Sequence, residues 1–252
     1  MLYTVDLQLE GKSVLVTGGS KGIGLACTRT FVQEGCRVHL ASRDRERLEQ
    51  ASAELGAAAT IHPADLRDAN ALQALAQACG EVDILVNNAG DIPGGTLESV
   101  DDAKWRHAWA LKVFGYINLT RVLFGRMKTR GSGVIVNVIG MAAEHPSPEY
   151  ICGATANAGL AAFTKALGKG SIEHGVRVVG VHPPSTRTDR ILQVMKAAAK
   201  AKLGDESRYQ ELVGAGGMFS QMIEPEQVGD TVAFLASPRA GQLSGVVLNL
   251  GT

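Results

Sequence analysis

Short apolar segments alternate with longer helical segments along almost the whole chain. Residues 14–16 precede a helical stretch at 23–34, and residues 134–139 precede another at 148–169. Such alternation predicts an α/β domain with a parallel sheet covered by helices on both faces. The strand segments are almost entirely apolar, as expected for strands buried on both faces. No Pro-, Ser- or charge-rich linker interrupts the pattern, so we predict one domain over residues 1–252.

Charge and composition exclude several classes of function. Lys+Arg and Asp+Glu each number 25, and only 5% of the chain is aromatic. A nucleic-acid binder needs a basic surface and often stacking aromatics, so we expect no nucleic-acid partner. No apolar run approaches the roughly 18 residues of a membrane span, so we expect no membrane partner.

The cysteines and histidines show none of the spacings that bind metals. The four cysteines, at positions 27, 36, 79 and 152, occur singly, and the six histidines form no H-E-x-x-H motif. We therefore predict no metal site. The N-terminus lacks the apolar core of a secretion signal, so we expect free thiols in a reducing compartment and a cytoplasmic protein.

A glycine-rich loop follows the first predicted strand and precedes a helix. It reads Thr17-Gly18-Gly19-Ser20-Lys21-Gly22-Ile23-Gly24. Glycines there permit a tight turn and close approach of a pyrophosphate, and the helix N-terminus offers free N–H groups to the anion. The position of the loop favours dinucleotide binding over a simple tight turn.

The loop pattern T-G-x-x-x-G-x-G resembles that of the short-chain dehydrogenase/reductases. Three further segments resemble family motifs in the same order, namely 87–90 (N-N-A-G), 64–66 (A-D-L) and 182–188 (H-P-P-S-T-R-T). The resemblance implies a doubly wound Rossmann sheet of seven parallel strands in the order 3-2-1-4-5-6-7. It also implies the following cofactor-binding residues: Gly18, Ser20, Gly22, Ile23, Gly24, Asp65, Leu66, Asn88, Ala89, Gly90, Pro183 and Thr188. Lys21, Ser42 and Arg43 are added to this set for their charge and hydrogen-bond donors.

The end of the second strand favours NADP(H) over NAD(H). An acid at this point would bind ribose hydroxyls and repel a 2′-phosphate, but the sequence has Ala41-Ser42-Arg43. Ser42 can donate a hydrogen bond, and Arg43 presents a planar set of donors to a phosphate. Lys21 adds a second positive charge. The alternative is that both charges are merely solvated surface groups.

The segments that resemble the family's active site lack its catalytic residues. The family uses an Asn, a Ser and a Tyr–Lys pair four residues apart. By local alignment these positions fall on Lys112, Gly140, Gly153 and Asn157. Pro184 also replaces the glycine of the P-G step. The family's usual proton transfer cannot operate with these side chains, and loss of a general acid typically costs ~10²–10⁴-fold in rate.

Other side chains can take over the proton transfer. Lys112 and Asn157 resemble an exchange of the family's Asn and Lys, which would still bring an ammonium to the pocket. With Ser147 as N-cap and Pro148 as first residue, the helix would carry Tyr150 in its first turn. Tyr150 would then share a face with Gly153, and its phenol would point toward the nicotinamide.

Two alternatives for this region remain open. Tyr150 can instead pack in the substrate loop beside Pro146, which is ordinary for a tyrosine. Glu144 and His145 can titrate in the pocket, although loop residues of these types are usually solvated.

The segment at about 189–222 corresponds to the family's variable substrate lid. An apolar roof over a small-molecule substrate is predicted from Ile191, Leu192, Met195, Met218, Phe219 and Met222. The same residues are equally compatible with plain helix packing. By resemblance, the long helices at about 101–128 and 148–169 would form a homotetramer or homodimer.

Three functions are compatible with these residues. The first is an NADP(H)-dependent oxidoreductase of carbonyls and alcohols with an atypical active site, in which Tyr150, Lys112 and Asn157 are the candidate catalytic residues. The second is a non-catalytic NADP(H)-binding sensor or regulatory protein. The third is an enzyme whose reaction does not need the family's proton relay, such as reduction of an activated double bond or lyase-type chemistry.

Overall fold

A seven-stranded parallel sheet forms the centre of the molecule. The computed structural model describes residues 5–212 and 222–251. The strands are β1 (Ser13–Thr17), β2 (Arg37–Ser42), β3 (Ala59–Pro63), β4 (Ile84–Asn87), β5 (Gly133–Val138), β6 (Val176–His182) and β7 (Val247–Asn249). They pair in the order β3-β2-β1-β4-β5-β6-β7. The predicted fold class and strand order are both confirmed.

Helices cover both faces of the sheet. They are α1 (Gly22–Gln33), α2 (Arg45–Leu55), α3 (Ala69–Ala78), α4 (Asp102–Trp109), α5 (Gly115–Arg130), α6 (Ile151–Ser171), α7 (Asp189–Leu203) and α8 (Pro225–Ala236). One core layer joins Val16 and Val136 of the sheet to Phe31 of α1. The second core layer joins Leu15 on the opposite face to Leu123 of α5.

The long helix predicted after β4 is interrupted. A π-helical segment, Ala110–Phe114, separates α4 from α5. The N–H of Gly115 donates to the carbonyl of Ala110, five residues back, where an α-helix would use the carbonyl four residues back. Such π segments often mark functional sites. This one contains Lys112, at the end of the sheet where β4 and β5 finish.

Helix α6 begins three residues later than predicted. Ser147 is not its N-cap and Pro148 is not its first residue. Tyr150 has φ −139° and immediately precedes the helix. Residues 147–150 form a turn, in which the N–H of Tyr150 donates to the carbonyl of Ser147 at 3.0 Å. The turn also contacts the loop after β4, where the N–H of Gly95 donates to the carbonyl of Glu149 at 2.6 Å. Tyr150 is therefore an N-cap residue and does not lie in the first turn.

In the described part of the lid region, α7 is followed by a short 3₁₀ segment, Glu206–Leu212. Met218 and Phe219 of the predicted roof lie outside the described residues. All four cysteines are buried and unpaired. Among the residues described, no helix is both long enough and apolar enough to span a membrane.

Candidate active site

The glycine loop after β1 leaves the N-terminus of α1 open. Gly18 and Gly22 have φ of +66° and +53°, a conformation that favours glycine. Gly24 is excluded from carrying a side chain, because a Cβ there would lie 2.1 Å from the carbonyl oxygen of Gly18. Lys21 is the N-cap residue and its side chain makes no capping hydrogen bond. The first N–H groups of α1 are thus available to an anion.

Asn88 fixes the glycine loop from the neighbouring strand. Its Nδ2 donates to the carbonyl of Thr17 at 3.0 Å and to that of Gly18 at 3.4 Å. In return, the hydroxyl of Thr17 accepts from the N–H groups of Asn88 and Ala89 at 2.9 and 3.1 Å. The side chain of Asn88 therefore holds the loop in place, at the crevice between β1 and β4 where a doubly wound sheet binds its ligand.

The segments that follow β2 and β3 carry several of the predicted cofactor-binding residues. Asp65 accepts from the N–H and the Nε of Arg67, both at 3.0 Å. Partial burial works to raise the pKa of Asp65, but these hydrogen bonds and the charges of Arg67 and Arg43 outweigh it and lower the pKa. Ser42 is half-buried at the end of β2. The side chain of Leu66 is buried in the core, so only its backbone can face a cofactor.

The lid is packed directly against the glycine loop. Thr188 caps α7 by accepting from the N–H of Ile191 at 3.4 Å. Its Cγ2 lies 3.2 Å from the position that a Cβ on Gly22 would occupy. Pro183 accepts at its carbonyl from the N–H of Met141 at 3.0 Å. The segment between β6 and α7 therefore closes the same crevice from the other side.

Lys112 and Asn157 meet consecutive carbonyls at the end of β5. Lys112 Nζ donates to Ile139 at 2.6 Å, and Asn157 Nδ2 donates to Gly140 at 3.3 Å. A Cβ on Gly140 would lie 2.9 Å from Asn157 Nδ2. The buried Asn157 Oδ1 has no hydrogen-bond partner within the described ranges. Burial, with a smaller contribution from Arg190, lowers the pKa of Lys112 to about 7.

The ring of Tyr150 occupies the space that a side chain at Gly153 would need. A Cβ on Gly153 would lie 2.1 Å from Cε1 and 2.7 Å from the phenol oxygen of Tyr150. The ring packs against an apolar cluster that includes Ile92 and Cys152. Burial raises the pKa of the phenol, whereas the charge of Arg190 acts in the opposite direction. Gly153 is thus the residue that admits this ring to the site.

Arg190 connects the lid to the site. It was not among the residues predicted from the sequence. Its guanidinium donates to the carbonyl of Gly90 at 3.1 Å and also to the carbonyl of Ile92 at 2.5 Å. Its positive charge acts on the pKa of both Lys112 and Tyr150. The sequence signal was weak, since an arginine two residues after Thr188 resembles any charged residue in a helical first turn.

His182, the last residue of β6, was also missed. It is fully buried, and its Nε2 lies 3.4 Å from a carboxylate oxygen of Glu144. Neither ring nitrogen makes a hydrogen bond to a residue that the structure describes. Burial lowers the pKa of His182, although Glu144 opposes this. Both loop residues considered from sequence are exposed, and of the two Glu144 approaches a site residue through His182.

A cleft of about 380 Å³ lies in the lid region. It is lined by Arg187, Leu192, Met195, Tyr209, Gln210 and Met222. Leu192, Met195 and Met222 of the predicted apolar roof line this cleft, whereas Ile191 does not. Together with the open end of α1, the site combines an anion-binding helix N-terminus with a phenol and two cations.

Comparison with known proteins gives a consistent picture. Residues 12–198 match the family model described as short chain dehydrogenase. The 2,3-dihydro-2,3-dihydroxybenzoate dehydrogenase of Bacillus subtilis is 30% identical, covering 94% of this chain and 93% of the relative.

Two solved structures with different bound cofactors are also similar. L-Sorbose reductase from Gluconobacter frateurii, complexed with NADPH and L-sorbose, has a TM-score of 0.90 and 29% identity, covering 98% of this chain and 97% of the other. The 3-ketoacyl-(acyl-carrier-protein) reductase from Brucella melitensis, complexed with NADH, has a TM-score of 0.82 and 28% identity, covering 96% and 98%. The fold is thus compatible with either nicotinamide cofactor.

Proposed function

Because the chain belongs to the short-chain dehydrogenase family, we propose that it is an NADP(H)-dependent oxidoreductase in which Tyr150 is the proton donor. The proposed reaction interconverts a small carbonyl substrate and its alcohol. The observation that carries the proposal is the phenol of Tyr150 lying over Gly153, 2.7 Å from the position of a Cβ there. This glycine stands at the position of the family's catalytic tyrosine, so a phenol still reaches the site from the preceding turn.

The residues of the glycine loop fit a dinucleotide. The uncapped N-terminus of α1 offers N–H donors to a pyrophosphate, and positive φ at Gly18 and Gly22 lets the backbone approach it closely. When bound, the nicotinamide cofactor supplies or accepts the hydride. The chain binds and orients it through the crevice between β1 and β4.

Preference for NADP(H) is supported by the charges around Ser42. Arg43 is exposed and forms no ion pair within the described ranges, although its charge is felt by Asp65. The carboxylate of Asp65 is already satisfied by Arg67. An unpaired guanidinium beside a half-buried hydroxyl suits a 2′-phosphate, because Arg offers paired donors to phosphate oxygens.

Proton transfer is assigned to Tyr150, with Lys112 and Arg190 as supporting cations. As the substrate carbonyl is reduced, the phenol donates its proton to the new alkoxide. The phenolate that remains is stabilised by positive charge, and Arg190 already acts on the pKa of Tyr150 in this direction. Lys112, held at the carbonyl of Ile139, supplies the second charge. Asn157 holds the carbonyl of Gly140 and so fixes the end of β5.

A non-catalytic NADP(H)-binding protein is the second candidate. It is favoured by the environment of Tyr150, whose ring packs among apolar residues and whose pKa is raised by burial. A phenol that is merely packed would leave the cofactor site intact and the protein without turnover. This candidate predicts NADPH binding with no substrate-dependent oxidation.

We also propose a homodimer or homotetramer in the cytoplasm. Phe114, in the π segment between α4 and α5, is 53% exposed and therefore suits a subunit contact on these helices. Light scattering of the purified chain measures the assembly directly. A monomer would refute this part of the proposal.

The decisive experiment compares wild type with Tyr150→Phe. NADPH oxidation is followed with a panel of ketones and sugars, and the dissociation constant of NADPH is measured in parallel. We expect the variant to lose roughly 10²–10⁴-fold in turnover while binding NADPH normally. Tyr116→Phe is the matched control, since that phenol donates to the carbonyl of Val138 within the core. Unchanged turnover in Tyr150→Phe would remove Tyr150 from the mechanism.

A further inference from the structure

Two histidines and a cysteine from three different elements converge at the sheet, and none of them is a candidate site residue. His39 lies in β2, His62 in β3, and Cys79 immediately follows α3. His39 Nδ1 lies 2.9 Å from His62 Nε2, and Cys79 Sγ lies 3.7 Å from the same nitrogen. The three ligand atoms all lie within 4.8 Å of one another. We propose that they form a binding site for a single zinc-type divalent ion.

The donor set is chemically suited to such an ion. Imidazole nitrogen and thiolate sulfur are the usual ligands of zinc, with Zn–N of about 2.0–2.1 Å and Zn–S of about 2.3 Å. Ligand atoms bonded to one tetrahedral ion at those lengths stand roughly 3.3–3.6 Å apart. The pair at 2.9 Å must therefore separate by a few tenths of an ångström, and His39 and Cys79, within 4.8 Å of each other, must approach by up to about 1 Å. Both histidines are half-buried, and water can supply a fourth ligand from that side.

Burial and neighbouring charges set the protonation of the three side chains before a metal binds. Burial lowers the pKa of His39 and His62, so both rings are neutral and can coordinate. Burial raises the pKa of the Cys79 thiol to about 12, against the charge of Arg126, so the thiolate forms only when a metal displaces the proton. Arg37 lies near His39. These positive charges oppose a cation, but the thiolate formed on binding offsets one of them. The competing description is a neutral hydrogen bond between the two imidazoles beside an inert thiol.

Sequence patterns cannot detect a site of this kind. The ligands are 23 and 17 positions apart, and each comes from a different strand or helix end. Zinc motifs recognised from sequence place pairs of ligands within one turn or loop. Only the parallel pairing of β2 with β3, and the packing of α3 over them, brings these side chains together. None of the three is used in the proposed reaction, so the site stands or falls independently of it.

The experiment uses the full chain, stripped with a chelator and titrated with cobalt(II) chloride and then zinc chloride. Cobalt is a spectroscopic probe, because a Co(II)–thiolate bond gives a charge-transfer absorption that a nitrogen or oxygen site lacks. We expect one cobalt per chain with this absorption, and its displacement by zinc. In Cys79→Ser and His62→Gln, we expect affinity to fall by at least the 10–100-fold that loss of an outer-shell partner costs.

Controls separate the site from other thiols and from misfolding. Cys36→Ser replaces another buried cysteine, whose Sγ contacts the carbonyl of Leu9, and it should bind cobalt as wild type does. Circular dichroism of each metal-free variant shows whether it folds, and the half-buried His62→Gln serves if Cys79→Ser does not. Wild type without the thiolate absorption would overturn the proposal. So would folded variants that retain it.

Discussion

The two ends of the candidate cofactor crevice differ in how closely their sequences resemble the family's motifs. At the glycine loop, every feature that resembles the family has a structural reason, such as Gly24 packed against Gly18 and Asn88. At the catalytic end, Gly140 and Gly153 stand where side chains are expected, and Tyr150 fills the space above Gly153. The proposed function explains the difference: cofactor binding depends on backbone shape, whereas proton transfer depends on one side chain that a neighbouring turn can supply.

Removing the buried ammonium should have the largest effect on the catalytic end. Lys112→Met keeps the apolar stem but removes the charge that hydrogen-bonds to Ile139. We expect turnover to fall by roughly 10²–10⁴-fold, the usual range for loss of acid–base assistance. The dissociation constant of NADPH should stay within about twofold. If NADPH binding falls as much as turnover, Lys112 belongs to the cofactor end instead.

The lowered pKa of Lys112 predicts a pH dependence of wild type that Lys112→Met should lack. Burial lowers it from the ordinary 10.5 to about 7, so wild-type ketone reduction should weaken as pH rises through about 7. Between about pH 7 and 10.5 the unfolded chain binds more protons than the folded one. The free energy of unfolding of wild type, relative to Lys112→Met, should therefore rise with pH across this window. Urea titrations at several pH values measure it.

Filling the space above Gly153 should lower turnover without changing cofactor binding. The added methyl group in Gly153→Ala would overlap the ring of Tyr150 and displace the phenol. A misplacement of about 1 Å can cost 10²-fold in rate, and we expect a loss of roughly that size. Gly159→Ala, in the same helix with open space around it, is the control. Equal activity of the two variants would show that the phenol's position is unimportant.

The same type of substitution, Gly→Ala, in the glycine loop should weaken cofactor binding. In Gly24→Ala the Cβ would lie 2.1 Å from the carbonyl oxygen of Gly18 and 2.5 Å from Asn88 Nδ2. Overpacking of this kind costs ~1–3 kcal/mol, so the dissociation constant of NADPH should rise about tenfold or more. Gly125→Ala, where a Cβ meets nothing, should bind as wild type does. Tight binding by Gly24→Ala would contradict the packing argument.

The smallest effect concerns the choice between the two cofactors. Arg43→Gln should raise the dissociation constant of NADPH about tenfold, because one charge-assisted hydrogen bond is worth roughly 1.5–3 kcal/mol before solvent screening. NADH binding should hardly change. Arg106→Gln, which removes an exposed arginine paired with Asp102, serves as the control. Thermal shifts with NADPH and with NADH report the two affinities of each protein. Equal losses of NADPH and NADH affinity in Arg43→Gln would refute the 2′-phosphate contact.

Much of the fold could be predicted from sequence because it is periodic. Apolar runs such as 134–139 correspond to β5 within a residue or two, and the crossover rule for parallel strands limits their order. The helix ends were less predictable. Pro148 looked like a first helical residue, but it lies in a turn before the helix that is tied to the loop after β4 by the hydrogen bond between Gly95 and Glu149. A contact across more than fifty residues leaves no local signal.

The residues of the candidate site also differ in whether the sequence could predict them. The glycine loop could be recognised because its residues are contiguous and each has a backbone reason. Arg190 and His182 could not, because they matter only through neighbours on other elements, namely the carbonyl of Gly90 and the carboxylate of Glu144. The π segment around Lys112 was also hidden, since no residue pattern marks the shift in hydrogen bonding.

The most direct test of the account is a double-mutant cycle of turnover on Tyr150 and Lys112. Tyr150→Phe, Lys112→Met and the double variant are compared with wild type, with NADPH binding measured for each. If the phenol and the ammonium act as one proton-transfer unit, the double variant should be no slower than the slower single variant, and NADPH should bind all four proteins equally. Losses that multiply, or single variants that turn over like wild type, would contradict the account.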